Sequence, residues 1–290
     1  MFEFLKKQKL KKILKSLCRN EIAVTVEKAQ TNTSPIRSKF GGKPAVPADF
    51  IWPRFESLDY DGEMANRPLS FLCQINLEEI EAYDHEHLFP KKGLLLFFYE
   101  METMCWGYDP AENGCARVYY FEDLNKLSAL ELPEDIREDY RLPEYDIAFE
   151  AKKSYPSFEE LDCHVETNVD FEIYDEILEK LGYDITEGLD SHKLLGYADP
   201  VQGEMLTECE RVTRGLYCGN AESYQNTPEE ENVAILEAAT DWILLFQMSS
   251  LEEDDYELMF GDMGNIYFYI RKQDLKERNF DKIWLSLQCG

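Results

Sequence analysis

Four histidines (His85, His87, His164, His192) and eight cysteines are the side chains in this chain best suited to hold a metal or attack an electrophile. His85 and His87, flanked by Asp84 and Glu86, could place two ligands on one side of an extended strand. A tetrahedral zinc site needs four, and the local sequence supplies no partners. A solvated polar loop is expected there, with no metal and no cofactor. Cys163 and His164 are adjacent, and neighbours on a strand point to opposite faces, a poor arrangement for a base to activate a thiol. No two cysteines stand in CxxC spacing, and Cys73 and Cys105 lie in apolar surroundings where a free thiol packs as a small hydrophobe. Residues 57–62, SLDYDG, alternate oxygen ligands as a calcium loop does, but the twelfth position is Pro68, where a bidentate Glu is needed. An exposed acidic turn is expected instead. GxSxG is missing, as is GxGxxG after a strand. Gly41-Gly42-Lys43 lacks the upstream glycine and the following hydroxyl of a phosphate-binding loop. No catalytic residue is assigned.

Gln74 and Gln247 are more informative. Each is a polar amide near the end of an apolar run, LSFLCQI at 69–75 and WILLFQM at 242–248. A buried amide without a partner costs about 1–3 kcal/mol, so each must be bonded. Either each bonds nearby loop backbone, or both face one cleft and serve a ligand.

The elements that position them repeat. SKFGGKPAVPADFIWP at 38–53 has a weaker echo, SHKLLGYADPVQGEM, at 191–205. Each is followed by the apolar run with its glutamine, an LEE triplet, a glycine (Gly93, Gly264) and a second apolar strand, 93–100 and 265–271. Two copies are too few for a solenoid, so a pseudo-two-fold pair of sheets sharing one core is expected. The halves run from about 20–150 and 151–290, with a ligand cleft expected between them. Within the first stretch Gly41-Gly42 opens backbone conformations closed to other residues. The prolines forbid a helix, and Phe40, Phe50 and Trp52 are expected to anchor the path. Helical spacing is read at 170–181, and 220–232 reads as a polar, mobile loop.

Composition sets outer limits. The 290 residues are 44% hydrophobic and 13% aromatic, enough for a real core, and no apolar run approaches the ~20 residues of a membrane span. Lys+Arg is 30 against Asp+Glu 58, a net charge of −28. Such a chain lacks the cations that bind a nucleic-acid backbone and is drawn to basic partners. Residues 1–19 alone carry +6, leaving −34 for the rest. Leu10, Ile13, Leu14 and Leu17 fall on one face of a helix there, which can dock on the acidic body, project from it, or lie on an anionic membrane. The membrane is disfavoured because the acidic body is repelled by the same surface. The N-terminus has no continuous apolar stretch of a signal peptide, so reduced thiols and a cytosolic location are expected.

SKFGGKPAVPADFIWP, LSFLCQINLEEI, WILLFQMSS and MFGDMGNIYFYI, in that order, resemble the YwqG family, a bacterial group labelled as a domain of unknown function. The resemblance covers roughly residues 20–288. It implies a cytosolic α+β protein with an internally duplicated core of antiparallel sheet and peripheral helices, and no established activity. Similar members have been suggested as immunity proteins of toxin systems. The family pattern falls on Lys39, Gly41, Gly42, Pro44 and Gln74, then on Lys193, Gly196, Tyr197, Gln247, Gly261, Asp262 and Gly264. The second copy departs at Leu195, where a glycine is expected. Two functions stand as expectations. One is a non-enzymatic binding protein, of the immunity type, for a basic toxin. The other is a small-ligand or peptide-binding protein, or an enzyme, using the inter-repeat cleft at Lys39, Gln74 and Gln247.

Overall fold

The computed structural model describes residues 2–28, 34–58, 62–185, 191–253 and 256–290. Ten strands form one sheet: β1 (Arg19–Lys28), β2 (Lys39–Phe40), β3 (Ser70–Asn76), β4 (Leu94–Tyr99), β5 (Ala116–Phe121), β6 (Tyr145–Ser154), β7 (His192–Leu195), β8 (Trp242–Ser249), β9 (Asn265–Arg271) and β10 (Trp284–Gln288). Their spatial order is β10-β9-β8-β7-β1-β6-β2-β3-β4-β5, antiparallel at every pairing. The fold is therefore mixed α and β, with a duplicated antiparallel sheet and helices at its periphery.

The order is symmetric about the β1–β6 pair. Strands β2 to β5 leave it on one side and β7 to β10 on the other, so β1–β5 and β6–β10 are equivalent units. Each unit places its leading strand against the other's short second strand: β1 pairs β7, and β6 pairs β2. The second unit thus begins before β6, near residue 144, rather than at 151. Both long strands carry a bulge at the same place, between Phe71 and Cys73 in β3 and between Leu244 and Phe246 in β8. A bulge bends its strand and increases local twist, and the sheet curls until it is nearly a barrel. Phe97 of β4 then meets Phe246 of β8 and Phe268 of β9, at 4.8 and 5.2 Å between ring centroids.

Strand alternation divides the apolar residues between cores. Leu95, Phe97 and Tyr99 enter the central core, together with Phe40, Leu194, Phe246 and Phe268. Leu94, Leu96 and Phe98 face outward, under the 38–53 stretch. Phe40 anchors that stretch inside the sheet. Phe50 and Trp52 anchor it outside, packing on Phe98 at 6.0 and 5.3 Å, and the Trp52 indole donates to the Leu69 carbonyl at 2.8 Å. On the second unit the helix Leu206–Thr213 covers the equivalent face, with Met205, Leu206, Cys209 and Val212 over Trp242, Leu244, Tyr267 and Tyr269.

The N-terminal helix, Phe2–Leu17, docks on the body. Leu10 and Leu14 are buried with Tyr155, Leu161, Tyr174, Ile177 and Leu178, and Lys7 pairs with Glu176 at 2.7 Å on the helix Phe171–Glu179. Among the described residues no helix is long and apolar enough to cross a membrane.

Three local expectations fail. Residues 220–232 are not a loop: helices Ala221–Asn226 and Glu229–Ala239 occupy them, started by the Asn220 side chain accepting from the Ser223 N–H and by Pro228. The LEE triplets are not equivalent. Leu77 opens a helical turn capped by Asn76, whereas Leu251–Glu253 pairs with Tyr256–Leu258 as a hairpin. Cys163 and His164 lie on a helix, Phe158–His164, with the imidazole Nε2 3.1 Å from Glu160. Within the acidic turn read at 57–62, residues 59–61 lie outside the described residues, as do 31–33 of the preceding loop.

Candidate functional site

Lys39 and Gln74 are directly paired across β2 and β3, and Lys193 and Gln247 across β7 and β8. All four are buried. Each pair alternates with residues of the central core, Phe40 and Cys73 in one unit and Leu194 and Phe246 in the other. Lysines and glutamines therefore face the outer side of the sheet. They form two separate nodes, one per unit, and the space between the units is filled by apolar side chains rather than by a cleft.

The two glutamines do the same work. Gln74 Oε1 accepts from the Ala45 N–H at 2.9 Å, and its amide donates to the carbonyls of Pro35 and Arg37, both at 2.7 Å. Gln247 Oε1 accepts from the Asp199 N–H at 2.9 Å, and its amide donates to the Ser191 carbonyl at 3.1 Å and to the Asp199 carboxylate at 3.0 Å. Each amide holds a returning loop against its strand, the backbone-bonded option the sequence left open.

The lysines are answered by carboxylates from the other unit's leading strand. Lys39 Nζ lies 2.5 Å from Glu144, just before β6, and Lys193 Nζ lies 2.9 Å from Glu21 in β1. Beyond that the nodes diverge. In the first, Arg37 adds a second cation, 2.6 Å from Glu144 and 2.7 Å from Asp146. In the second, Lys193 has a second anion, Asp199 at 2.5 Å. Burial pulls the Lys39 pKa below its ordinary value despite Glu144. Burial acts the same way on Lys193, but Asp199 and Glu21 together outweigh it and raise the pKa. Glu144 is penalised by burial, yet its bonds to Arg37 and Lys39 leave its pKa lowered.

The glycine positions explain the departure at Leu195. Gly41 has φ +57° and Gly42 +67°, while Leu195 has φ +60° and Gly196 +72°, so the turn is the same. A Cβ on Gly41 would stand 2.0 Å from the Pro143 carbonyl oxygen, which forces glycine there. Leu195 accepts the left-handed conformation with its side chain in the central core. Tyr197 belongs to neither node's polar network. Its hydroxyl donates to the Leu17 carbonyl at 2.7 Å and its ring lies 4.3 Å from the Arg19 guanidinium, clamping the end of the N-terminal helix. Asp262 is exposed on the turn before β9, where its carbonyl accepts from the Gly290 N–H at 3.0 Å.

Sequence reasoning missed Arg37, Glu144, Asp146, Glu21 and Asp199. No spacing within one copy points to the two glutamates, because each lysine's carboxylate comes from the other unit. Two cavities adjoin the second node. One of about 260 Å³ is lined by Glu21, Ala23, Lys152, Tyr183, Ser191 and Lys193 among others. A neighbour of about 220 Å³ is mostly aromatic, with Tyr155, Phe158, Phe171, Tyr174 and Tyr183 beside Asp199. Among the described residues no group of three or more His, Cys, Asp or Glu side chains could hold a metal ion.

No curated protein matches the chain. A family model described as a domain of unknown function, DUF1963, matches residues 38–289, from the first glycine-proline stretch to the end of the last strand, and the chain belongs to that family.

Proposed function

We propose that the protein is a non-enzymatic, cytosolic binding protein for a basic protein partner, of the immunity type that neutralises a toxin, and that within its family it stands with the bacterial YwqG group. The net charge of −28 carries this reading. Charge complementarity speeds encounter and selects partners more than it adds affinity. The helix Glu229–Ala239 supplies a face suited to it: Glu229, Glu230 and Glu237 are exposed beside Val233 and Leu236, themselves 46% and 56% exposed. Exposed apolar side chains among carboxylates offer both steering and a contact surface. A small-ligand or peptide-binding reading draws support from a different feature, the cavities beside Lys193.

The test is retention from host lysate at low salt, followed by a wash at about 0.5 M salt, where the Debye length falls to ~4–5 Å. A basic protein should be retained, released by the wash, and lost when Glu229, Glu230 and Glu237 are changed together to lysine. An empty eluate, or retention indifferent to salt, would refute the reading.

A further inference from the structure

The two nodes are copies of one arrangement, so each position in one has a counterpart in the other. Residues 37 to 45 correspond to 191 to 199. Gln74 donates to the carbonyl of Arg37 and Gln247 to that of Ser191. Ser38 Oγ accepts from the Asn76 N–H, and His192 Nδ1 from the Ser249 N–H. Tyr145 and Asp146 stand opposite Phe40 and Lys39, as Ile22 and Ala23 stand opposite Leu194 and Lys193. Glu21 is then the counterpart of Glu144, Ala23 of Asp146 and Ser191 of Arg37.

In the first node the Arg37 guanidinium fills the space between Glu144 and Asp146, and its side chain is only 13% exposed. In the second node the counterparts Ser191, Glu21, Ala23 and Lys193 all line the 260 Å³ cavity. The cavity lies where an arginine side chain lies in the other unit, with the matching carboxylate still in its wall. It is smaller than the ~300 Å³ at which drug-sized pockets begin, which suits a small planar group. The buried carboxylate Glu21 and the nearly buried Asp199, whose side chain is 10% exposed, share the buried cation Lys193. In the first node Arg37 and Lys39 balance Glu144 and Asp146.

We propose that this cavity is a guanidinium-binding site, in which Glu21 accepts from the N–H fork of a ligand occupying the place that Arg37 holds in the first unit. A guanidinium presents donors in a planar fork that an ammonium lacks, and it can stack on an aromatic ring. Tyr183 in the cavity wall supplies such a ring. Lys152 and Lys153 also line the cavity, and both residues are exposed, with Lys152 3.7 Å from Glu150. The two lysines oppose a cation at the entrance, while Asp184, exposed in the same lining, attracts one. The ligand is either the arginine side chain of a protein or a free guanidino compound. The site does not depend on the partner-binding reading above, since the probe is titrated with no other protein present.

Ethylguanidinium is the probe, titrated calorimetrically into the full chain at low salt, with ethylammonium as the control of equal charge. Saturable binding near 1 mM is expected, at least tenfold weaker for ethylammonium. Glu21→Gln should weaken it at least tenfold. Ser191→Arg should fold, fill the cavity from within and abolish binding. A capped tripeptide with a central arginine separates the sources. Binding as tight as ethylguanidinium identifies a protein side chain, and exclusion of the peptide identifies a free compound. No saturable ethylguanidinium binding would overturn the proposal. So would binding that survives Ser191→Arg, or a Ser191→Arg chain that cannot fold, because the cavity would then not be the space of an arginine.

Discussion

Replacing Gln74 with leucine tests whether the glutamine is a structural clasp. The two side chains are similar in size, so packing changes little, while three hydrogen bonds disappear. The Ala45 N–H loses its acceptor in a fully buried setting, and the carbonyls of Pro35 and Arg37 lose their donors. At about 1 kcal/mol net for each neutral bond the loss is about 3 kcal/mol, and the orphaned N–H alone accounts for about 1–3 of it. Urea unfolding should therefore show a stability loss of about 2–4 kcal/mol with an unchanged m-value. Gln247→Leu should lose a similar amount, since it orphans the Asp199 N–H and removes donors from Ser191 and Asp199. Asp262→Ala, on an exposed turn, is the control and should stay within ~0.5 kcal/mol. A Gln74→Leu loss below ~0.5 kcal/mol would refute the clasp and return the amide to consideration as a ligand contact.

Acid sensitivity should trace to His192. Burial in the central core against Phe40, 5.0 Å between ring centroids, depresses its pKa from 6.5 to about 4, and its Nδ1 accepts from the Ser249 N–H. The unfolded chain binds this proton near pH 6.5 and the folded chain only near pH 4. The contribution is therefore whole above about pH 6.5 and is lost as pH falls towards 4, roughly 3 kcal/mol in all. His192→Ser, which installs the residue of the first unit, should flatten urea-derived stability between pH 6.5 and 4.5 by roughly 2 kcal/mol; parallel profiles would contradict the assignment. Deleting residues 1–17 should expose Tyr155, Leu161, Tyr174, Ile177 and Leu178, raising binding of a hydrophobic dye and lowering the thermal midpoint. A truncated chain with unchanged midpoint would mean that the helix contributes no packing.

The duplication was legible because apolar strands, glycine turns and the paired glutamines recur at nearly constant offset. The anchoring of the 38–53 stretch was legible from Phe40, Phe50 and Trp52. What escaped was non-local. Each lysine finds its glutamate on the other unit's leading strand, and no spacing within one copy reveals a partner more than a hundred residues away. The expected single cleft failed for a related reason. Strand alternation turns Gln74 and Gln247 outward while Phe97, Phe246 and Phe268 close the space between the units. The helices over 221–239 were hidden by their polar surface composition, which looks like a loop until Asn220 and Pro228 are recognised as their starts.

The crossed pairing of β1 with β7 and β6 with β2 has a consequence for how the chain can be divided. A fragment ending after β5 keeps β1 but loses the strand that separates β1 from β2, so it carries open ladder edges in the middle of its sheet. The complementary fragment has the same gap. Each fills the other's, and the two pieces are expected to reassemble as a heterodimer rather than fold singly. Two identical first fragments also hold every strand needed to close one sheet about a true two-fold axis. The covalent link between units thus makes obligatory a partnership that separate polypeptides could form by association.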